Sequence, residues 1–340
     1  MFEILDSDWL CDEVTSITTP PYLFTIYQLS KRFRSPDMAT KVENLTPEEV
    51  EEYLARIQYT GPKDATIKVL QELQRCHIFS VPFENLSIYG REEIILTKEW
   101  LFEKVVRRRR GGVCYELNTM FSLLLDYLGF KPQKHAAQVF DRKIGTGELS
   151  HPRDHLTLLV DIEGQLWLTD VGFGDAFWGP LPFADLTDPQ EQRSGTYRIR
   201  KDSDMYVFEE KIKVIVDEMG NERKEKEPAL HGKPSEWAPR YQFDLIPRTS
   251  EDFHERLIFQ QSDPRFRQDR LCTLATPWGR LTIAGNKILT TKYLGDNKIK
   301  KEAKELEGGE ERVVEELEQK FGIRREACFY PEESMFYAVN

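Results

Sequence analysis

The spacing of apolar positions divides this chain into a helical first part and a strand-rich remainder. Residues 1 to about 40 mix aromatic residues, prolines and charges without a clear period, and no element is assigned there. Thr46-Pro47-Glu48-Glu49 reads as a helix start, because Thr46 can cap, Pro47 suits the first helical position and Glu49 closes a capping box. A second helix is expected from Asp64, with Ile67, Leu70, Leu73 and Ile78 facing inward, and Ser80 to Leu86 follows as a proline-broken turn. A third opens near Thr97 and ends in Arg107, Arg108, Arg109 and Arg110. Cations suit a helix C-terminus, so this run reads as a solvated helix end, the alternative being a rim that attracts anions. The longest clean pattern is Leu117, Met120, Phe121, Leu124, Leu125 and Leu128, one helical face, with Gly129 as its stop.

Beyond Gly129 the period shortens. Val139-Phe140, His155 to Val160 and Gln165 to Phe173 read as strands, and a further pair spans Met205 to Val216. Asp217 to Glu227 is expected as an exposed turn, and Leu281 to Thr291, after Pro277-Trp278-Gly279, as a hairpin. From Lys300 to Lys320 the charged tail reads as a helix with a solvated face.

At 340 residues, the chain can bury more than one core. Its 40% hydrophobic and 31% charged residues are those of an ordinary soluble protein, and no apolar run is long enough for a membrane helix. Early acidic residues (Glu3, Asp6, Asp8, Asp12, Glu13) argue against a signal peptide. The cysteines at 11, 76, 114, 272 and 328 show no metal-ligand spacing and suit reduced thiols in the cytoplasm. A net charge of −11 argues against nucleic-acid and membrane-surface partners, so an anionic ligand would need local cations.

Within this frame Arg110-Gly-Gly-Val-Cys-Tyr-Glu-Leu-Asn118 delivers Cys114 to the start of the best-patterned helix. Unpaired N–H groups and the positive end of the helix dipole favour thiolate there, the nucleophilic form. A lone cysteine can equally be a small core residue. If Asp161 to Gly164 is a four-residue hairpin loop, Val160 pairs with Gln165, and His155 then faces Asp170 across the ladder. Asp170 would orient His155, leaving its other nitrogen to take a proton from a thiol. Cys114, His155 and Asp170 together have the makings of nucleophilic catalysis through a thioester.

These motifs resemble the arylamine N-acetyltransferase family, in its microbial or fungal type. Val81-Pro-Phe-Glu-Asn-Leu86, the Arg110–Asn118 stretch, the strand from His155 and Asp170-Val-Gly-Phe-Gly174 occur in the family's order. Tyr241 to Phe253, Ser262 to Thr276 and Gly279 to Gly285 carry the similarity toward the end of the chain. The resemblance implies an α+β fold with a cysteine-protease-like Cys–His–Asp core. It has an N-terminal extension (1–47), a helical bundle with the nucleophile (48–135), an antiparallel β-barrel with the histidine and aspartate (136–240) and an α/β lid (241–340). It implies a ping-pong reaction in which Cys114 takes an acetyl group from acetyl-coenzyme A and passes it to an arylamine or arylhydrazine, with His155 moving the proton.

By the same resemblance Phe83, Val139, Phe173 and Phe177 line the acceptor pocket. Gly172, Gly174, Ser262, Arg265 and Arg267 lie toward coenzyme A, the two glycines by letting backbone approach the donor. The arginines near Ser262, and Pro152 before the histidine, depart from animal relatives, which raises malonyl- or propionyl-coenzyme A as alternative donors. A papain-like or transglutaminase-like Cys–His–Asp enzyme is the runner-up, although a papain-type signature around Cys114 is absent. An inactive binding module is a third reading.

Overall fold

The computed structural model describes residues 44–140, 148–183, 187–225 and 235–328. The N-terminal extension up to residue 43 lies outside them.

Helix α1 (Pro47–Arg56) starts as its sequence predicts: Glu49 N–H donates to Thr46 Oγ1 (3.2 Å) and Thr46 N–H to Glu49 Oε2 (2.8 Å). Helix α2 (Ile67–Ser80) begins later than expected, because Thr66 rather than Asp64 caps it. The expected Pro-broken turn contains a two-residue strand, β1 (Phe83–Glu84). Helix α3 (Lys98–Phe102) is capped by Thr97 and runs on as a π-helical turn to Arg107. The basic run behind it is solvated only at its start, where Arg107 is exposed. Arg107 and Arg108 pair with Glu52 and Glu92, and Arg110 is fully buried against Glu84 at 2.9 Å.

Helix α4 (Cys114–Tyr127) ends before Gly129, whose φ of +86° is the left-handed stop the sequence promised. It is buried on every side through Leu125, with Glu116, Asn118, Thr119 and Ser122 inside as well as the apolar face. The helix lies between α1 and the strands β2 (Pro132–Val139) and β3 (His155–Ile162).

The β3–β4 hairpin corrects the expected register. β4 is Gln165–Thr169, Ile162 pairs with Gln165, and the turn is only Glu163-Gly164. Both turn residues have positive φ (55° and 82°), a primed two-residue turn that matches strand twist. The register is therefore shifted by two residues. Because side chains alternate with period two, His155 and Asp170 stay on one face and meet diagonally. The expected strand to Phe173 stops at Thr169, so Asp170 to Phe177 form a loop against the site.

Strands β5 (Leu181–Pro182), β6 (Gln190–Gln192), β7 (Gly195–Asp202), β8 (Met205–Lys211), β9 (Val214–Val216), β10 (Glu222–Lys224) and β11 (Trp237–Arg248) follow. One eight-stranded antiparallel sheet has the order β5-β4-β3-β2-β11-β8-β7-β6. It curls into a nearly closed barrel, and Gln190 on one edge donates to the Pro182 carbonyl on the other (3.3 Å). Inward residues such as Leu159, Leu168, Tyr197, Phe208, Tyr241 and Phe243 fill it. β11 runs through the boundary drawn at 240/241. β8 and β9 are the two strands expected between Met205 and Val216, and they enter different sheets.

Helix α5 (His254–Ser262) precedes β12 (Leu271–Thr276), β13 (Gly279–Ala284), β14 (Lys287–Gly295), β15 (Lys298–Glu305) and helix α6 (Gly309–Phe321). The β13–β14 hairpin is as predicted. Of the stretch from Lys300 to Lys320 expected as helix, Gly309 onward is helical, but the part up to Glu305 belongs to strand β15, because Asp296-Asn297 turns the chain back with positive φ at both residues. Its charges pair across strands, as in Lys287–Glu305 (3.1 Å) and Lys298–Glu222 (2.6 Å). The second sheet has the order β1-β12-β13-β14-β15-β9-β10, mixed through the parallel β15–β9 pair. It gathers strands from all three expected domains, so the C-terminal unit is less separate than a lid. Among the described residues no helix is long and apolar enough to cross a membrane.

Candidate active site

Cys114 is the first residue of α4 and fully buried. Its helix start rests on charges: Glu116 accepts from Val113 N–H (2.9 Å) and is met by Lys104 Nζ at 2.6 Å, both side chains being almost completely buried. Burial pushes the Glu116 carboxyl above its ordinary range, against the pull of Lys104. Glu84, beside Arg110, is held low, because that guanidinium and Lys104 outweigh its own burial.

His155 heads β3, and Asp170 follows the end of β4. His155 Nε2 lies 2.6 Å from Asp170 Oδ2, both side chains fully buried. Asp170 also accepts from Tyr241 Oη (3.1 Å), Asn118 Nδ2 (2.9 Å) and Gly172 N–H (2.8 Å). Burial alone would drive the proton off His155, but Asp170, then Cys114, outweigh it and raise the imidazole to about 10. Asp170 is lowered, its burial outweighed by His155 and the donors around it. At neutral pH His155 is thus an imidazolium fixed on Asp170, with Nδ1 unbonded to any other group and Cys114 within its interaction range.

Asn118 and Tyr241 were not singled out in the sequence. Asn118 lies one turn after Cys114 and ties α4 to the triad loop, since its Oδ1 also accepts from Val171 N–H (2.9 Å). Its place four residues from the cysteine was the available signal. Tyr241 comes from distant β11, and no local pattern marks it.

Phe83, Phe173 and Phe177 line one small cavity with Asp170, Gly174, Thr273 and Arg280, with room for about 20 Å³. Phe173 packs edge-on against His155, ring centroids 5.2 Å apart. Val139 is not on that cavity; it packs half-buried against the barrel core, as Phe173 does. Arg280, also unmarked in the sequence, donates to Asp175 (3.0 Å) and Thr273 (3.1 Å).

Gly172 packs on the start of α4. A Cβ there would sit 2.8 Å from Cys114 Cα and from Asn118 Nδ2, so the absent side chain lets the triad loop press on the nucleophile. Gly174 likewise packs against Phe83 and Thr273. Gly172→Ala is expected to cost about 1–3 kcal/mol and to lower turnover of the folded enzyme, seen as a melting shift with reduced kcat. Unchanged melting and kcat would show that the contact relaxes freely.

The remaining donor-side candidates lie elsewhere. Ser262 ends α5, its Oγ donating to the Phe259 carbonyl (2.9 Å). Arg267 lines a separate, open cavity of about 400 Å³ with Arg91, Pro264 and Gln268. Burial, and then Arg91, lower the Arg267 guanidinium. The Arg265 side chain lies outside the described residues.

A cysteine at a helix start, facing an imidazolium held by a carboxylate, places the chain among enzymes with a Cys–His–Asp centre. Its relatives say which. An N-acetyltransferase family model matches residues 66–328. A chicken arylamine N-acetyltransferase, pineal gland isozyme NAT-3, is 32% identical, the match covering 83% of this chain and 97% of that one. Human arylamine N-acetyltransferase 1 is 29% identical over the same shares. Among solved structures, the Salmonella typhimurium arylamine N-acetyltransferase matches with TM-score 0.68 and 26% identity, covering 82% of this chain and 92% of that one. The Mycobacterium marinum enzyme in complex with CoA gives TM-score 0.68 and 26% identity, covering 81% and 92%. The chain belongs to the arylamine N-acetyltransferase family. Papain-like and transglutaminase-like readings fall away, as does the inactive module.

Proposed function

We propose that the enzyme moves an acetyl group from acetyl-coenzyme A to arylamines and arylhydrazines through an acetyl-Cys114 intermediate. The observation that carries this is the buried His155–Asp170 pair at 2.6 Å, with Cys114 among the groups that help hold the proton on His155. Cys114 attacks the thioester carbonyl, and coenzyme A leaves as thiol, with the proton supplied from His155. One thioester replaces another, so the step is near neutral in energy. The amine, a poor base and uncharged at neutral pH, attacks acetyl-Cys114, and His155 takes its proton.

Phe83, Phe173 and Phe177 suit a flat aromatic acceptor, with Val139 packed against the same barrel core as Phe173. Arg267 and Ser262 suit the phosphate-bearing part of the donor. Arg267, one of the arginines that raised a malonyl group, lines a cavity whose lining shares no residue with that of the triad cavity, which supports acetyl as the transferred group. A reducing cytoplasm suits a reaction run by a free thiol.

Mixing the enzyme with acetyl-, propionyl- or malonyl-coenzyme A without amine is expected to give an acetyl adduct fastest, mapped to Cys114 by mass spectrometry and discharged by an aniline. A malonyl adduct forming faster would overturn the donor assignment, and an adduct on another residue the mechanism.

A further inference from the structure

Asp154 immediately precedes His155, and its carbonyl oxygen faces the Cys114 sulfur at 3.8 Å. Its carboxylate is buried as well. With its backbone carbonyl against the reacting sulfur, Asp154 would add uncompensated negative charge nearby if its side chain were unpaired, and so oppose thiolate. Helix α5 supplies what offsets it. Arg256 Nε pairs with Asp154 Oδ1. Gln260, 2% exposed, places Nε2 3.2 Å from Asp154 Oδ1, 3.4 Å from the Asp154 carbonyl and 3.2 Å from Tyr115 Oη. Tyr115, next to the cysteine on α4, donates to the Arg153 carbonyl (2.6 Å), and His151 N–H donates to Asp154 Oδ2 (3.1 Å).

We propose that Arg256 is a charge-compensating positioning residue for Cys114: by pairing with the Asp154 side chain it cancels negative charge on the residue whose carbonyl touches the sulfur, while Gln260 holds the turn that delivers His155. The inference rests on Cys114 as the nucleophile. The ionisable groups around it are countable. β3 brings His155, and through it Asp170. α4 brings Tyr115. The 151–154 turn brings Asp154, the His151 ring and Arg153, whose guanidinium donates to the Asp252 carbonyl (3.1 Å). α5 brings Arg256. The Lys104–Glu116 and Arg110–Glu84 pairs beneath the helix start are each internally neutral. Among the described residues Arg256 is the cation that pairs with Asp154, and its guanidinium is held over the Phe259 ring (4.2 Å). Nothing in the sequence marks it, because the partners lie on elements about a hundred residues apart.

The test is the rate of Cys114 acetylation by acetyl-coenzyme A, followed by intact mass in the full-length enzyme from mildly acidic to alkaline pH. Arg256→Met is expected to move the pH midpoint up by about one unit and slow the reaction about tenfold at neutral pH. Arg256→Lys keeps the charge and the wild-type midpoint. Asp154→Asn combined with Arg256→Met removes both charges and recovers most of the rate, which a loss of packing alone would not do. Asp154→Asn by itself, should Arg256→Met fail to fold, lowers the midpoint. An unmoved midpoint in Arg256→Met or in Asp154→Asn, or no recovery in the double variant, overturns the proposal. Mapping the acetyl group in wild type tests the underlying reading separately: an adduct away from Cys114 sinks that reading whatever the profiles show.

Discussion

Cys114→Ser is expected to leave a folded protein whose acetyl transfer falls by about four orders of magnitude or more. Serine is nearly isosteric, so Gly172 and the Asp154 carbonyl keep their places, but its hydroxyl does not ionise beside His155 as a thiol does. Asp170→Asn should lose on the order of 10³–10⁴-fold in kcat, because the imidazole loses both its orientation and its counter-charge. The second variant carries a spectroscopic mark. In wild type the His155 ring should titrate by NMR near 10, and in Asp170→Asn its midpoint should fall to the ordinary value of 6.5 or below, since burial then acts with little opposition.

The same pair sets a pH window for stability. His155 is raised in the fold, so its contribution is fully present below 6.5 and is lost as pH rises through about 10. Asp170 is lowered, so its contribution is present above 3.8 and is lost as pH falls through its folded value. Melting of wild type relative to Asp170→Asn should therefore show its largest gap in mildly acidic buffer, narrowing in both directions. A gap that widens toward alkaline pH would contradict an imidazolium–carboxylate pair.

How much of this was written in the sequence depends on how local each signal is. The capping box at Thr46, the Gly129 stop and the β13–β14 hairpin are decided by neighbours a few residues apart, and all three were legible. The triad was legible for a different reason. The expected β3–β4 register was wrong by two residues, yet an even slip keeps side chains on the same face, and the His155–Asp170 contact survived the error. What was not legible is what distant elements decide. Lys298–Glu305 has the composition of a solvated helix and became a strand through its pairing with β14. The roles of Tyr241, Arg256 and Arg280 exist only once β11, α5 and β13 are folded against the loop and turn they touch. The glycines were legible as sites of close approach, but not what approaches: at Gly172 it is the nucleophile's own backbone.

The helix start beneath the nucleophile yields the second large effect. Lys104→Met removes the ammonium that meets Glu116 at 2.6 Å and leaves a carboxyl with no exposure. Breaking a buried pair from one side costs about 3–5 kcal/mol, which at this chain length shifts melting by roughly 10 °C. The sign with pH follows from Glu116. Its folded value is already raised, burial being the largest cause, and loss of Lys104 raises it further. The stability attached to a raised carboxyl is fully present below its unfolded value and is lost as pH rises, so Lys104→Met should lie closest to wild type in acid and fall away toward alkaline pH. Glu116→Gln in the Lys104→Met background, which removes the charge while keeping an acceptor for Val113 N–H, should recover much of the melting temperature and, with the α4 start restored, the acetylation rate of Cys114. A double variant no more stable than Lys104→Met would mean that the lysine acts by its packed aliphatic stem rather than by its charge.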